Sequence, residues 1–215
     1  MNKSIIFLCM LLAVAACTTF TSCENDYFLP ANYELLNGVA LRNEHYIIEV
    51  DSTQPADMRR FVVPPIPRDS LFRYLLTGGW AETEAYGLYL DGSMTENLLN
   101  HNYDFHVIFE NDDDALLCLR YLRNQEIKYA YDEENNYLTL SNFCLPSQYF
   151  EEVRKQKEGC SEDINRVISI SDEEMLLISP YGLYDERYAP PAPYCLRVFT
   201  HASDDEAKDW KRRGS

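Results

Sequence analysis

Basic residues are scarce: 19 Lys and Arg stand against 35 Asp and Glu, a formal net charge of −16. All of the acids lie after Cys23, whereas Lys3 precedes it, so the chain beyond Cys23 is more acidic still. That balance excludes a nucleic-acid surface, which needs basic phosphate contacts, and argues equally against a surface built for anionic headgroups. Glycine is scarce too, 8 residues against 16 Tyr and 10 Phe, a composition that favours strands over a helical bundle. No window after the first residues has the apolar length of a membrane span. No Gly-rich phosphate loop, Gly-x-Ser-x-Gly elbow or His-Glu-x-x-His appears, and histidine is limited to four residues. No nucleophile or metal constellation is visible, so the expected class is non-enzymatic. With 46% hydrophobic residues in 215, the chain can build one sizeable core.

The first residues carry an address. Lys3 gives a short basic start, and Ile5 to Ala16 is an apolar run, too short to span a bilayer but suited to a signal-peptide core. Small residues then lead into a cysteine twice, at Val14-Ala15-Ala16-Cys17 and at Phe20-Thr21-Ser22-Cys23. Both resemble the bacterial lipobox, in which cleavage precedes a lipidated cysteine. Cys17 has the more usual aliphatic and alanine context. Cys23 has the better downstream context, because Glu24-Asn25-Asp26 is polar and acidic, and Cys23 is the expected attachment site. Acidic residues directly after the lipidated cysteine also resemble an export signal to the outer cell surface in some Gram-negative groups. The resemblance implies an outer-membrane lipoprotein held by its acyl chains, palmitate among them, each buried methylene contributing about 0.8 kcal/mol. The plainer reading is a secreted protein cut at an Ala site, with Cys23 an ordinary thiol.

The organisation expected from the sequence is a signal peptide over 1–22, a tether over 23–67, a β-domain over 68–202 and a charged tail over 203–215 that frays. Pro30, Pro55, Pro64, Pro65 and Pro67 punctuate the tether. Within it, Tyr46 to Val50 and Phe61 to Val63 are strand-like, and either pair as a ribbon or lie along the domain. Asp69 to Leu76 reads as one or two helical turns with Asp69 as N-cap. Short alternating runs then follow at near-regular spacing. Ile127–Tyr131 and Tyr137–Leu140 flank an acidic turn, as do Val167–Ile170 and Met175–Ile178, and Tyr194–Phe199 reads as a last strand. Such a series implies an antiparallel sandwich or barrel. One insertion interrupts it: residues 147–158 read as a short surface helix with Ser147 as N-cap and Gly159 as stop.

Leu75-Leu76-Thr77-Gly78-Gly79-Trp80, the hairpins 129–140 and 167–178, and the strand 194–199, in that order, resemble the lipocalin-like domains of bacterial lipoproteins. The resemblance spans about residues 70 to 200. It implies a mainly all-β fold, an antiparallel up-and-down barrel of about eight strands, here with one short inserted helix. It implies that Trp80 packs across the closed end, and that the interior binds a small apolar or amphipathic ligand. The alternative function is an interaction protein whose filled barrel docks a partner in an envelope complex.

Candidate chemistry is sparse. Tyr129 and Tyr131 share one strand face and Tyr137 lies across the turn; facing inward, they would line a ligand-binding mouth, and facing outward, an aromatic patch or a surface packed under tether or helix. His101, Asp104 and His106 have poor spacing for a metal, since on a strand only the last two share a face. Asp112-Asp113-Asp114 lacks the alternation of a calcium loop. No metal or cofactor is expected. Cys118 and Cys195 fall in strands, whereas Cys144 and Cys160 flank the proposed helix, whose ends, about 16 Å apart, are too far for a favoured bridge.

Overall fold

The structure, a computed structural model, describes residues 45–97, 99, 105–119, 123–141, 162–180 and 192–213. The proposed helix at 147–158 lies outside them, as do Cys17, Cys23, His101, Asp104, Cys144 and Cys160.

Nine antiparallel strands form the body. They are β1 (Gly79–Leu88), β2 (Met94–Asn97), β3 (Phe105–Phe109), β4 (Asp114–Leu119), β5 (Gln125–Asp132), β6 (Tyr137–Ser141), β7 (Glu162–Ile170), β8 (Glu174–Ser179) and β9 (Tyr194–Ala202). Each strand from β3 to β9 pairs with the next, and β9 pairs with β1 along its whole length, so the sheet closes. The other edge of β1 is shared: β3 takes Trp80 and Ala81, and β2 takes Tyr86 and Leu88. β2 and β3 together therefore make one wall, and the barrel is eight-stranded and up-and-down, as the sequence led us to expect.

The hairpins form where alternation meets turn chemistry. In β5, Ile127, Tyr129 and Tyr131 are buried and Glu126, Lys128 and Ala130 are exposed, the period-2 pattern of a strand with one face inside. The following turn is held by the Asp132 carboxylate, which accepts from the Glu134 and Asn135 amides at 3.0 and 3.4 Å. Asn136 then takes φ 57°, a left-handed conformation that asparagine tolerates.

The barrel has two unlike ends. The end where β1 begins is plugged by α1 (Arg68–Leu75), whose Leu71, Phe72 and Leu75 enter the interior core with Trp80. Pro67, not Asp69, is the N-cap, and Asp69 sits exposed in the first turn: the Pro67 carbonyl already accepts from Ser70 N at 2.9 Å and Leu71 N at 3.0 Å, so the helix begins before Asp69. The chain leaves α1 through Gly78 at φ 59°, where an added Cβ would lie 2.1 Å from the Ala202 carbonyl oxygen.

Residues 45–66 form a strap over the outer face of the barrel. Val50 bridges Phe61, and Asp51 N donates to Arg60 O at 2.8 Å. Between them Met58–Arg60 make one 3-10 turn. The two pieces meet at this one bridge rather than as a pair of strands, and they lie along the domain. Met58 and Phe61 bury against Tyr86, Leu88, Ile178, Tyr194, Leu196 and Val198, which point outward from β1, β8 and β9. These strands are buried on both faces, so they read as near-continuous apolar runs.

The charged tail is a second correction. Residues Asp204–Arg213 form helix α2 rather than fraying. Ser203 and Glu206 make a reciprocal cap: the Glu206 carboxylate accepts from Ser203 N at 2.9 Å, and Ser203 Oγ accepts from Glu206 N at 3.4 Å. The acids at the start and the bases at the end suit the helix dipole. Ala207 and Trp210 seal the outer face of β3 and β4 over Ile108 and Cys118.

Candidate functional site

Most inward-facing side chains near α1 are packed shut. Leu75, Trp80 and Val167 have no exposure, and Leu117, Leu138 and Met175 have 1% each. Tyr129 and Tyr131 belong to this core. They do share one face, and it points inward, but their hydroxyls are committed. Tyr129 donates to the Asn111 carbonyl and Tyr131 to the Ile66 carbonyl at 2.8 Å and to Asn136 Oδ1 at 3.1 Å. Tyr137 points the other way and packs under the strap. The three tyrosines thus do not form one site. Burial raises the Tyr131 phenol to about 12, and burial likewise raises that of Tyr129.

The half of the interior away from α1 is different. There the Arg197 guanidinium lies inside the barrel, with Glu82 on β1 and Asp163 and Asn165 on β7. Strand alternation puts them there: Glu82 is the register partner of Phe199, Asp163 of Leu140 and Asn165 of Leu138, all three core residues. Arg197 Nε donates to Glu82 Oε1 at 2.6 Å and Nη2 to Oε2 at 2.9 Å, a two-pronged pair. Nη1 donates to Asp163 Oδ2 at 3.2 Å and to Asn165 Oδ1 at 3.5 Å. The Phe105 and Phe199 rings lie 5.0 and 5.1 Å from the guanidinium carbon, within cation–π range. Burial opposes the charge on Arg197, but Glu82 and then Asp163 outweigh it and hold the guanidinium protonated.

The three charged groups keep slight contact with solvent despite facing inward, whereas Asn165 has none. The Arg197, Glu82 and Asp163 side chains are 10%, 8% and 14% exposed, against zero for the core around Trp80 and Leu75. Small side chains stand nearby on the inward parity, Ala85 and Gly87 on β1 and Cys195 on β9. Ala192 lies against Gly87, where a Cβ would come within 2.8 Å of it.

The remaining candidates fall elsewhere. His106 is on the outer face of β3, its ring stacked on Trp210 at 4.0 Å. Asp114 pairs with Lys128 across the β4–β5 ladder, and Asp112 and Asp113 are exposed in the turn before it. Cys118 and Cys195 are buried on opposite faces of the sheet, Cys118 outward under α2 and Cys195 inward. Burial raises the Cys118 thiol to about 11. Trp80 Nε1 is buried without a hydrogen-bond partner.

Sequence reasoning missed the Arg197 group. The signal available was a single arginine in Tyr194-Cys195-Leu196-Arg197-Val198-Phe199, an otherwise uncharged strand. Its carboxylate partners lie 115 and 34 residues away, which no local spacing reveals.

No protein-family model matches the chain, and no curated protein matches it. Among solved structures it is similar to an uncharacterized protein from Bacteroides eggerthii DSM 20697, at 13% identity and a TM-score of 0.32, over 59% of this chain and 99% of that one. It is also similar to a lipocalin-like protein from Bacteroides uniformis ATCC 8492, at 16% identity and a TM-score of 0.30, over 60% and 99%. At such scores the fold rests on the strand pairings themselves.

Proposed function

We propose that this is a lipid-anchored cell-envelope protein whose barrel binds a small amphipathic ligand, without turnover, in the half of the interior away from α1. The observation that carries the binding reading is the contrast within the barrel. Around α1 the interior is apolar and closed; around Arg197 it is polar and retains exposure. A guest with an apolar body and a polar end matches that gradient. Tyr129 and Tyr131 then serve as struts of the closed end rather than as ligand contacts. The anchor reading rests on the sequence around Cys23, with Cys17 as its rival. Among the described residues no helix is long and apolar enough to cross a membrane.

The filled-barrel reading, in which the outer surface docks an envelope partner, draws on the packed core around Trp80 and Leu75. Native mass spectrometry of the chain purified from its own membranes separates the two. A co-purifying small molecule lost in Arg197→Ala supports ligand binding; a bare chain accompanied by a protein partner supports docking. For the anchor, acyl labelling is compared in the wild type, Cys23→Ala and Cys17→Ala. Unchanged labelling in Cys23→Ala would disprove the proposed site.

A further inference from the structure

The strap turns two apolar side chains away from the barrel. Along its first piece Tyr46, Ile48 and Val50 pack inward and His45, Ile47 and Glu49 are exposed, with Ile47 at 86%. On the second piece Val62, whose amide donates to the Glu49 carbonyl at 2.9 Å, is 50% exposed, and Pro64 and Pro65 beyond it are exposed too. Ile47, Val62 and Leu76 are the exposed large hydrophobics among the described residues, so two of the three share the outer side of the strap. We infer that this side of the strap rests on the bilayer that holds the anchor, so that the barrel lies with β1, β8 and β9 towards the membrane. The inference goes beyond the ligand-binding reading and rests on the lipid anchor proposed above.

Two observations choose a lipid surface as the occupant. The first is position. Tyr46 already packs against the barrel, so Ile47 stands where a chain anchored at Cys23 enters the folded body. The second is charge. Between His45 and Arg68, Glu49, Asp51 and Asp57 are balanced by Arg59, Arg60 and Arg68, so the whole excess of 16 acids lies outside the strap. An anionic surface repels the rest of the chain but not this side of it. The contact is apolar and recognises no headgroup. Two branched side chains are too little to bring a free chain to a membrane, where even one myristoyl chain binds only marginally. With the anchor in place the second contact is intramolecular, and the effective concentration set by the leash makes a weak contact sufficient. Little order is lost in making it, because the strap is already held: Arg166 donates to the Met58 and Phe61 carbonyls, and Asn136 accepts from Ile66 N at 3.1 Å and donates to the Pro64 carbonyl at 2.8 Å.

The test is tryptophan quenching in the full lipidated chain, reconstituted into phosphatidylethanolamine–phosphatidylglycerol vesicles whose acyl chains carry bromine. A tryptophan is added by Ile47→Trp or, as the control, by Glu126→Trp on β5, the strand opposite β9 in the barrel. Both positions are exposed, so neither change touches the core. The emission gained in Ile47→Trp is expected to fall at least about twofold relative to unbrominated vesicles. That gained in Glu126→Trp is expected to stay unchanged. Val62→Asp, combined with Ile47→Trp, is expected to restore most of the loss. Unquenched emission in an acylated Ile47→Trp chain overturns the inference and leaves the anchor standing. A chain that carries no acyl group overturns both. Equal quenching at the two positions means a body with no preferred side, and overturns the inference. Quenching in Ile47→Trp that Val62→Asp leaves undiminished assigns the contact to the added ring alone, and overturns it as well.

Discussion

Arg166, on the outer face of β7, donates through Nη1 to the Phe61 carbonyl oxygen at 2.7 Å and through the same nitrogen to that of Met58. One side chain of the barrel thus holds both ends of the 3-10 turn in the strap. Hydrogen bonds from charged donors contribute about 1.5–3 kcal/mol. Arg166→Ala is expected to lower stability by about that amount and to speed amide exchange over 58–66 while β5 and β6 keep their protection. Hydrogen exchange with fragment resolution reads this, and equal protection of 58–66 in both proteins would sink the latch.

The interior ion pair has a different arithmetic. Removing one member of a buried pair strands the other, at a cost of about 3–5 kcal/mol. Glu82→Leu or Arg197→Met alone should therefore be severely destabilising. The double variant spares both desolvation penalties and should recover a good part of the loss, short of wild type because Asp163 keeps its charge. Urea melts of the four proteins check this, and additive losses would refute it.

Tyr131 sets an alkaline limit. Its folded-state value of about 12 lies above the 10.0 of a free phenol side chain, so the contribution is complete below pH 10 and is lost as pH rises towards 12. The wild type should lose stability steeply across that window. Tyr131→Phe should start lower, having lost the bonds to Ile66 and Asn136, and fall less steeply. Chemical melts at intervals from pH 9 upward show it (roughly half-unit steps suffice), and parallel slopes would rule out Tyr131 as a source.

Gly79 tests how α2 is seated. A Cβ there would come 2.5 Å from the Trp210 ring. Gly79→Ala is expected to lift α2, red-shift Trp210 emission and uncover Cys118, whose thiol is slow while buried and raised to about 11. Thiol labelling at pH 8 should then gain one fast site that disappears in Gly79→Ala with Cys118→Ser. If no fast site appears, α2 does not depend on this contact.

Much of the barrel was legible because its hairpins follow simple rules. Ile127, Tyr129 and Tyr131 alternate with Glu126, Lys128 and Ala130, and the turn that follows carries Asp132, Asn135 and Asn136 in positions that hold it. The last strand was found but its faces could not be told apart, since strap and interior bury Leu196 and Phe199 alike. For the same reason Arg197 gave no sign of pointing inward. The helix at 204–213 was within reach: Ser203 and Glu206 spell a capping box. Its apolar face is only Ala207 and Trp210, too thin to stand out from the charges around it. The fate of the tether depended on what Phe61 would touch, and its partners Tyr194 and Leu196 lie at the far end of the chain.

The strap also shortens the leash. If Cys23 is held in a membrane, the leash before the folded body is not the whole of 24–67 but no more than the residues before Tyr46, which already packs against the barrel. Between Cys23 and Tyr46 even a fully extended chain reaches at most about 80 Å. A soluble fragment cut at the plug helix would leave Leu196, Val198 and Ile178 bare to water, and should aggregate. One beginning near residue 45 carries its own cover.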